Sequence, residues 1–130
     1  MSKAALQAKE KILQDEIEKY RGLQKEYQKA VASRNQLDAQ LTENKNVKEE
    51  LDVLEDDAVV YKLVGPVLVK QELAEAKQTL EKRLEYINKE LVRYAGILGD
   101  LEKKQESAAE KLGKLQQDYQ QAMLKAAATR

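Results

Sequence analysis

The stretch Val59-Val-Tyr-Lys-Leu-Val-Gly-Pro-Val-Leu-Val-Lys70 differs in character from the sequence on either side of it. β-Branched and aromatic residues dominate it, and these residue types favour strands over helices. Gly65 and Pro66 interrupt the apolar run near its centre, where a short turn would reverse the chain. The stretch therefore predicts a β-hairpin over 58–70, with strands over 58–64 and 67–70.

The segments on either side of this hairpin have the composition of long helices. Ala, Leu, Glu, Lys, Gln and Arg predominate in them, and Pro66 is the single proline of the 130-residue chain. We therefore predict one helix over 4–54 and a second over 71–126.

The C-terminal helix carries a heptad pattern. Every seventh residue from Leu73 onward, and the residue four positions after each of these, is apolar or aromatic over nearly eight heptads, with Lys77 and Gln105 as exceptions. A repeat sustained over this length is typical of a coiled coil.

The N-terminal helix has a less regular apolar stripe. A strict seven-residue reading meets Arg34, Asp38 and Lys48 where apolar residues would be expected, and shifts of frame of this kind change the local supercoil. Two helices of similar length with a short connector most simply fold back on each other. We predict a mainly α fold, with two long helices in an antiparallel coiled coil joined by a single β-hairpin, as one domain over 1–130.

Composition excludes several classes of function. The chain has no His and no Cys, so it cannot build a catalytic triad, a thiolate nucleophile or an ordinary zinc site. No glycine-rich phosphate loop is present, and the acidic run 55–57 is interpreted as a solvated connector. We expect no enzymatic activity, no catalytic or metal-binding residues, and no cofactor.

Charge and hydropathy bear on partners and location. The 23 basic residues balance the 23 acidic ones, which leaves no excess of positive charge to bind a nucleic acid or an anionic membrane surface. No apolar run approaches the length of a membrane span, and the first residues lack the apolar stretch of a signal peptide. We expect a cytoplasmic protein with no nucleic-acid or membrane partner.

The predicted hairpin is longer and more apolar than a connection between two helices requires. A lone two-stranded hairpin is marginal in water, and this one would be apolar on both faces with both outer edges unpaired. We infer that it docks with hairpins of other chains. The alternative is a hairpin folded back on its own coiled coil, which a monomeric native mass would favour.

Two blocks of this sequence resemble the β-type subunits of prefoldin. They are Gln40-Leu-Thr-Glu-Asn-Lys-Asn-Val-Lys-Glu-Glu-Leu51 and the segment 59–73, in which Gly65-Pro-Val-Leu-Val-Lys-Gln71 is the most specific part. Prefoldin subunits have two coiled-coil helices joined by one or two hairpins, and a single hairpin marks the β type. The architectural resemblance covers nearly all of the chain.

The resemblance implies a chaperone assembled from several chains. Its partners would be other prefoldin subunits, two of α-type and three further of β-type, in a heterohexamer. This complex captures unfolded actin and tubulin and hands them to the cytosolic chaperonin without using ATP. By the same likeness the hairpins make the contacts between subunits. The implied interface residues are Val59, Val60, Tyr61, Leu63, Val64, Val67, Leu68 and Val69.

An antiparallel coiled coil brings the two ends of the chain together, far from the hairpin. The last turns of a coiled coil fray, and an adaptable apolar surface that includes methionine suits weak capture of exposed hydrophobic segments. The alternative is ordinary packing between the helices as far as Leu124. The candidate client-binding residues are Leu6, Ile12, Leu13, Ile17, Leu115, Tyr119, Met123 and Leu124.

A second function is compatible with the same pattern. A structural coiled-coil scaffold or tether without chaperone activity would also use a hairpin to set its oligomeric state. A tether needs a specific partner, whereas a chaperone of this kind must bind many non-native chains, so function at the ends of the chain separates the two hypotheses.

Overall fold

Two long helices and one hairpin make up the fold. The computed structural model describes residues 2–128. Helix α1 (Lys3–Asp52) is followed by strands β1 (Val60–Val64) and β2 (Val67–Gln71) and then by helix α2 (Leu73–Ala128). The predicted fold class, two long antiparallel helices joined by a single β-hairpin, is confirmed.

Backbone hydrogen bonds explain where α1 and β1 depart from the predicted bounds. Leu54 N–H donates to Leu51 at 3.3 Å, a tight turn that ends α1 at Asp52 instead of at Leu54. Ala58 N–H donates to Glu55 at 2.9 Å, so it is taken up by a turn and β1 begins only at Val60.

The second predicted helix was placed two residues too early. Gln71 pairs with Val60 in the β-ladder, so it is the last residue of β2 and not the first of α2. Glu72 accepts a hydrogen bond from Ala76 N–H at 3.0 Å just before α2 begins at Leu73. At the other end, α2 continues to Ala128 instead of stopping at 126.

The chain divides into two compact units. Unit 1 comprises Met1–Val31 and Gly96–Arg130, and unit 2 comprises Ala32–Ala95. Each unit contains a stretch of both helices, and the hairpin belongs to unit 2.

The predicted heptad positions of α2 are its buried positions, and we call them the α2 seam. In unit 1 the buried residues of α2 are Leu98, Leu101, Ala108 and Ala122. In unit 2 they are Leu73, Leu80 and Ile87, seven residues apart. All seven lie on the two predicted series, and the remaining members of both series are half-buried, including Lys77 and Gln105.

Helix α1 also has a seam, and polar residues occupy part of it. Two series with a spacing of seven residues are buried or half-buried, one from Leu6 to Leu41 and one from Lys9 to Leu51. The heptad therefore continues without the expected shift of frame. Of the three polar residues expected at seam positions, Arg34 is half-buried there, whereas Asp38 and Lys48 are exposed.

Polar contacts between α1 and α2 recur along unit 1. Lys9 Nζ lies 2.6 Å from Asp118 Oδ2, and Lys111 Nζ lies 2.9 Å from Glu16 Oε1. The Tyr27 hydroxyl donates a hydrogen bond to Glu102 Oε1 at 3.0 Å. Going up α1 in this order means going down α2, so the contacts follow the antiparallel direction of the two helices.

The hairpin reverses direction through the two residues Gly65 and Pro66. Gly65 has φ 58°, which among residues 2–128 is the one positive φ. A two-residue hairpin loop with positive φ at its first position strongly favours glycine, and its twist matches that of the strands it joins. No atom lies within 4 Å of the place where a Cβ on Gly65 would be. Glycine is therefore needed there for its backbone conformation and not for space.

Replacing Gly65 with alanine should weaken the hairpin without any steric clash. The left-handed conformation costs a residue with a Cβ about 1–2 kcal/mol, which corresponds to at least about a five-fold loss of protection. Amide hydrogen exchange in β1 and β2 should therefore become faster by that factor. The control is Gly113→Ala, in open space within α2, which should slow exchange in that helix and leave the hairpin unchanged. Equal hairpin exchange in Gly65→Ala and the parent chain would contradict the argument.

Acid should weaken unit 1 through Glu16. The hydrogen bond from Lys111 holds the pKa of Glu16 below its ordinary value, with partial burial acting in the opposite direction. A carboxylate whose pKa is lower in the folded chain contributes stability above its unfolded pKa, and this contribution is lost as the pH falls through the folded pKa. The melting temperature should therefore drop below about pH 4.5, and this drop should be smaller in Glu16→Gln. The control Glu18→Gln alters an exposed carboxylate of the same helix, and an equal effect of both variants would refute this assignment.

Candidate interaction surfaces

The hairpin carries apolar side chains on both of its faces. Paired residues share a face, and neighbours along a strand alternate between faces. One face holds Tyr61 and Leu63 with their partners Lys70 and Leu68, and the other holds Val60, Lys62 and Val64 with Gln71, Val69 and Val67. Apart from the half-buried Val60, the apolar side chains of both strands are exposed, from 47 % at Val69 to 68 % at Leu63.

The edges of the hairpin are also open. Within residues 2–128 the sheet has two strands, so each strand keeps one edge without a partner strand. Such an edge can accept a further strand, and a two-stranded hairpin with this much exposed apolar surface is only marginally stable in water. Lys62 and Lys70 add charge to the strands, which discourages indiscriminate strand addition. The hairpin therefore has both the open edges and the exposed apolar surface that pairing with a further strand requires.

All of the predicted interface residues lie in the hairpin or directly before it. Val59 precedes β1 and is 54 % exposed, and Val60 is half-buried at the foot of the hairpin. The other six lie on the exposed parts of β1 and β2. Their contacts with other subunits remain a prediction.

A groove beside the foot of the hairpin extends this apolar surface. It has a volume of about 230 Å³, and its apolar lining includes Val47, Leu51, Val60 and Leu80. Val47 is 43 % exposed, although it lies within α1 and within the helix predicted over 4–54. Val47 lies close to the end of α1, where the helix meets the hairpin, and this position is the signal that could have identified it as a residue of the groove.

Further exposed apolar residues of unit 2 were missed by reasoning from sequence. Val53 and Leu54 follow α1 with exposures of 82 % and 39 %, and Tyr86 and Val92 of α2 are 62 % and 74 % exposed. Leu54 was predicted to be the last residue of the first helix, but α1 ends before it. Val92 directly follows the seam residue Leu91, and such an adjacent pair of apolar residues is a sign that one of them points outward.

The second predicted surface lies at the ends of the chain, in unit 1. Ile12, Met123 and Leu124 are exposed to 50 %, 48 % and 71 % respectively. The other five candidates are half-buried, and they are Leu6, Leu13, Ile17, Leu115 and Tyr119. Three of the eight candidates thus offer most of the apolar surface to solvent. The role of all eight in binding clients remains a prediction.

Unit 1 also contains an open groove of mixed charge. It has a volume of about 520 Å³ and is lined mainly by lysine and glutamate side chains, among them Glu16, Lys19 and Lys104. Among residues 2–128, no three acidic side chains are grouped so that they could hold a metal ion. Neither described helix combines the length and the apolar character of a membrane span.

Comparison with known proteins gives consistent results for sequence and for structure. The family model described as "Prefoldin subunit" matches residues 14–119. Prefoldin subunit 6 of Homo sapiens is 54 % identical over 113 residues, which cover 87 % of this chain and 88 % of that protein. Probable prefoldin subunit 6 of Drosophila melanogaster is 49 % identical over 112 residues, covering 86 % and 90 %.

A solved structure supports the same relationship. The prefoldin beta subunit from Thermococcus strain KS-1 superposes with a TM-score of 0.55 and 32 % sequence identity, covering 85 % of this chain and 90 % of that one. It supports the β-type arrangement of two long helices and one hairpin that the fold displays. The chain therefore belongs to the prefoldin family of chaperone subunits.

Proposed function

We propose that this chain is a β-type subunit of a heterohexameric prefoldin. Its whole length, 1–130, acts as one domain, and its partners are two α-type and three further β-type subunits. The observation that carries the proposal is the hairpin of unit 2, which is apolar on both faces and open along both edges within the described chain. Hairpins of neighbouring subunits would complete the sheet and cover the eight residues from Val59 to Val69 named above.

The complex would act as a non-enzymatic chaperone in the cytoplasm. It would capture unfolded actin and tubulin through the ends of its subunits and deliver them to the cytosolic chaperonin without ATP. The exposed side chains of Ile12, Met123 and Leu124 support a role in capture, because they place apolar surface at the ends of both helices. Methionine adds a flexible, polarisable side chain that adapts to different partners.

The alternative function is a structural scaffold or tether that uses the same hairpin for assembly. Such a protein would form its complex and yet hold no unfolded client. Assembly and capture must therefore be measured separately, with substitutions confined to one surface at a time.

The hairpin is tested by Leu63→Ser/Leu68→Ser. These residues face each other across the strands and are 68 % and 64 % exposed, so the change should leave the helices of the isolated chain intact. Native mass spectrometry after co-expression with the five partner subunits should show the variant largely missing from the hexamer. The matched control, Val92→Ser, removes an apolar side chain of similar exposure on α2 and should assemble normally. Normal assembly of the hairpin variant would overturn the proposed interface.

The ends of the chain are tested by Ile12→Ser/Met123→Ser/Leu124→Ser. Hexamers with this subunit should form normally but suppress the aggregation of actin diluted from denaturant less well, as followed by light scattering. The loss should be partial, since five other subunits keep their own ends. Tyr86→Ser/Val92→Ser is the control, because it removes exposed apolar side chains from unit 2 instead. Unchanged suppression would remove these three residues from the client surface, and a parent complex that holds no client would favour the tether.

A further inference from the structure

Two charged residues occupy seam positions of α1 in unit 1. Lys9 and Glu16 belong to the series that continues through Leu23 and Ala30, with seven residues between successive members. The Lys9 side chain is 30 % exposed and that of Glu16 only 12 %, as expected for residues that point between two helices. A polar residue at such a position lowers stability, and in return it can specify how two helices align.

The partners of these two residues on α2 are also seven residues apart. Moving one heptad up α1, from Lys9 to Glu16, moves the partner one heptad down α2, from Asp118 to Lys111. The sign of the charge alternates on both helices, so the first pair is base to acid and the second is acid to base. Both pairs are satisfied together in this alignment.

An alignment shifted by one heptad would bring like charges together. Shifting α2 in one direction places Lys9 opposite Lys111, although Glu16 then meets Lys104. Shifting it in the other direction places Glu16 opposite Asp118 and Lys9 opposite Lys125. Like charges at facing positions destabilise the alignments that contain them, which is how coiled coils select a register.

The buried residues of unit 1 by themselves discriminate little between alignments. Ala30, Ala108 and Ala122 are three of its five buried residues, and these small side chains leave little shape to distinguish one heptad from the next. Gly96 and Gly99 lie where the α2 part of unit 1 begins, and each lowers helix propensity by about 1 kcal/mol relative to alanine.

The arrangement has a cost that fits a role in specificity. The second carboxylate oxygen of Glu16, Oε2, is buried and has no hydrogen-bond partner among residues 2–128. Leaving a buried acceptor unsatisfied is unfavourable, so a leucine at this position would give the more stable seam.

We propose that Lys9, Glu16, Lys111 and Asp118 form an electrostatic lock that holds unit 1 in one helix register and excludes the alignments shifted by one heptad. The lock goes beyond the chaperone function, because it concerns the packing of one unit and requires neither client nor hexamer. It also determines which apolar residues end beside one another at the ends of the chain.

The register can be measured in the full-length chain with a pair of spin labels. The sequence has no cysteine, so Lys25→Cys/Gln116→Cys provides the two exposed labelling sites without further change. In this register, position 116 lies about 14 residues, or about 21 Å, along the axis from the position facing Lys25. A shift of one heptad changes this separation by about 10 Å, which pulsed electron paramagnetic resonance resolves. The parent chain should give a single distance.

The decisive variant is Lys111→Glu. In the present register it sets a like charge against Glu16, and only Lys9 and Asp118 remain an opposite-charge pair. A shift of α2 by one heptad then gives two opposite-charge pairs, since Lys9 faces position 111 and Glu16 faces Lys104. We expect a second population displaced by about 10 Å. If the ion pairs only added stability, this variant would melt earlier at an unchanged distance, and a single unchanged distance would therefore overturn the proposal.

Two further variants guard against loss of folding in Lys111→Glu. The swap Glu16→Lys/Lys111→Glu restores both opposite-charge pairs of the present register and leaves a like-charge pair in each shifted one, with Lys104 in the first and between Lys9 and Lys125 in the second, so it should return to a single distance. The full inversion Lys9→Glu/Glu16→Lys/Lys111→Glu/Asp118→Lys also has at least one like-charge pair in each shifted register and should give the same single distance. Two distances in either variant would refute the lock, since helical content by circular dichroism shows that each chain is folded.

Discussion

Burial of the α2 seam is the interaction on which the rest of the structure depends. Each helix depends on the other, because a helix in a protein gains most of its stability from packing its apolar face against a neighbour. Leu73, Leu80 and Ile87 supply that face in unit 2, and Leu98 and Leu101 supply it in unit 1. Each fully buried side chain of this size contributes about 1.5–3 kcal/mol. The seam needs the other helix to cover it, and the antiparallel pairing follows.

The same seam explains why the hairpin is left exposed. Each helix covers the apolar stripe of the other. Little apolar surface of the chain is therefore left for the two strands to pack against, except at Val60 where the hairpin begins. Two five-residue strands with most of their apolar side chains in solvent form a hairpin that is only marginally stable. Assembly with other chains through the hairpin, as proposed above, would cover this unfavourable surface.

The features that follow a regular pattern could be predicted from the sequence. The α2 seam and the hairpin turn were identified because one period persists for nearly eight heptads and one Gly-Pro pair interrupts the β-branched run. The α1 seam could not be identified in the same way, because charged residues such as Lys9 and Glu16 are not expected at seam positions until their partners on α2 are known. Gln71 was misplaced since its strand pairing with Val60 outweighs its helical propensity. Exposure at Val53 follows from the end of α1 at Asp52, which no local pattern encodes, whereas exposure at Val92 could have been predicted because Val92 directly follows the seam residue Leu91.

The two units differ in what holds their helices together. Unit 2 buries Leu73, Leu80 and Ile87, whereas three of the five buried residues in unit 1 are alanines, and two of its seam positions are charged. The buried side chains of unit 1 are thus smaller on average, and a buried alanine contributes less to the stability of the helix pair than a buried leucine or isoleucine does. Larger buried side chains would suit the unit that carries the proposed assembly hairpin. Small buried side chains, aligned by the proposed charge pairs, would suit ends that have to adapt to clients of many shapes, because charge would then set the register without requiring tight packing.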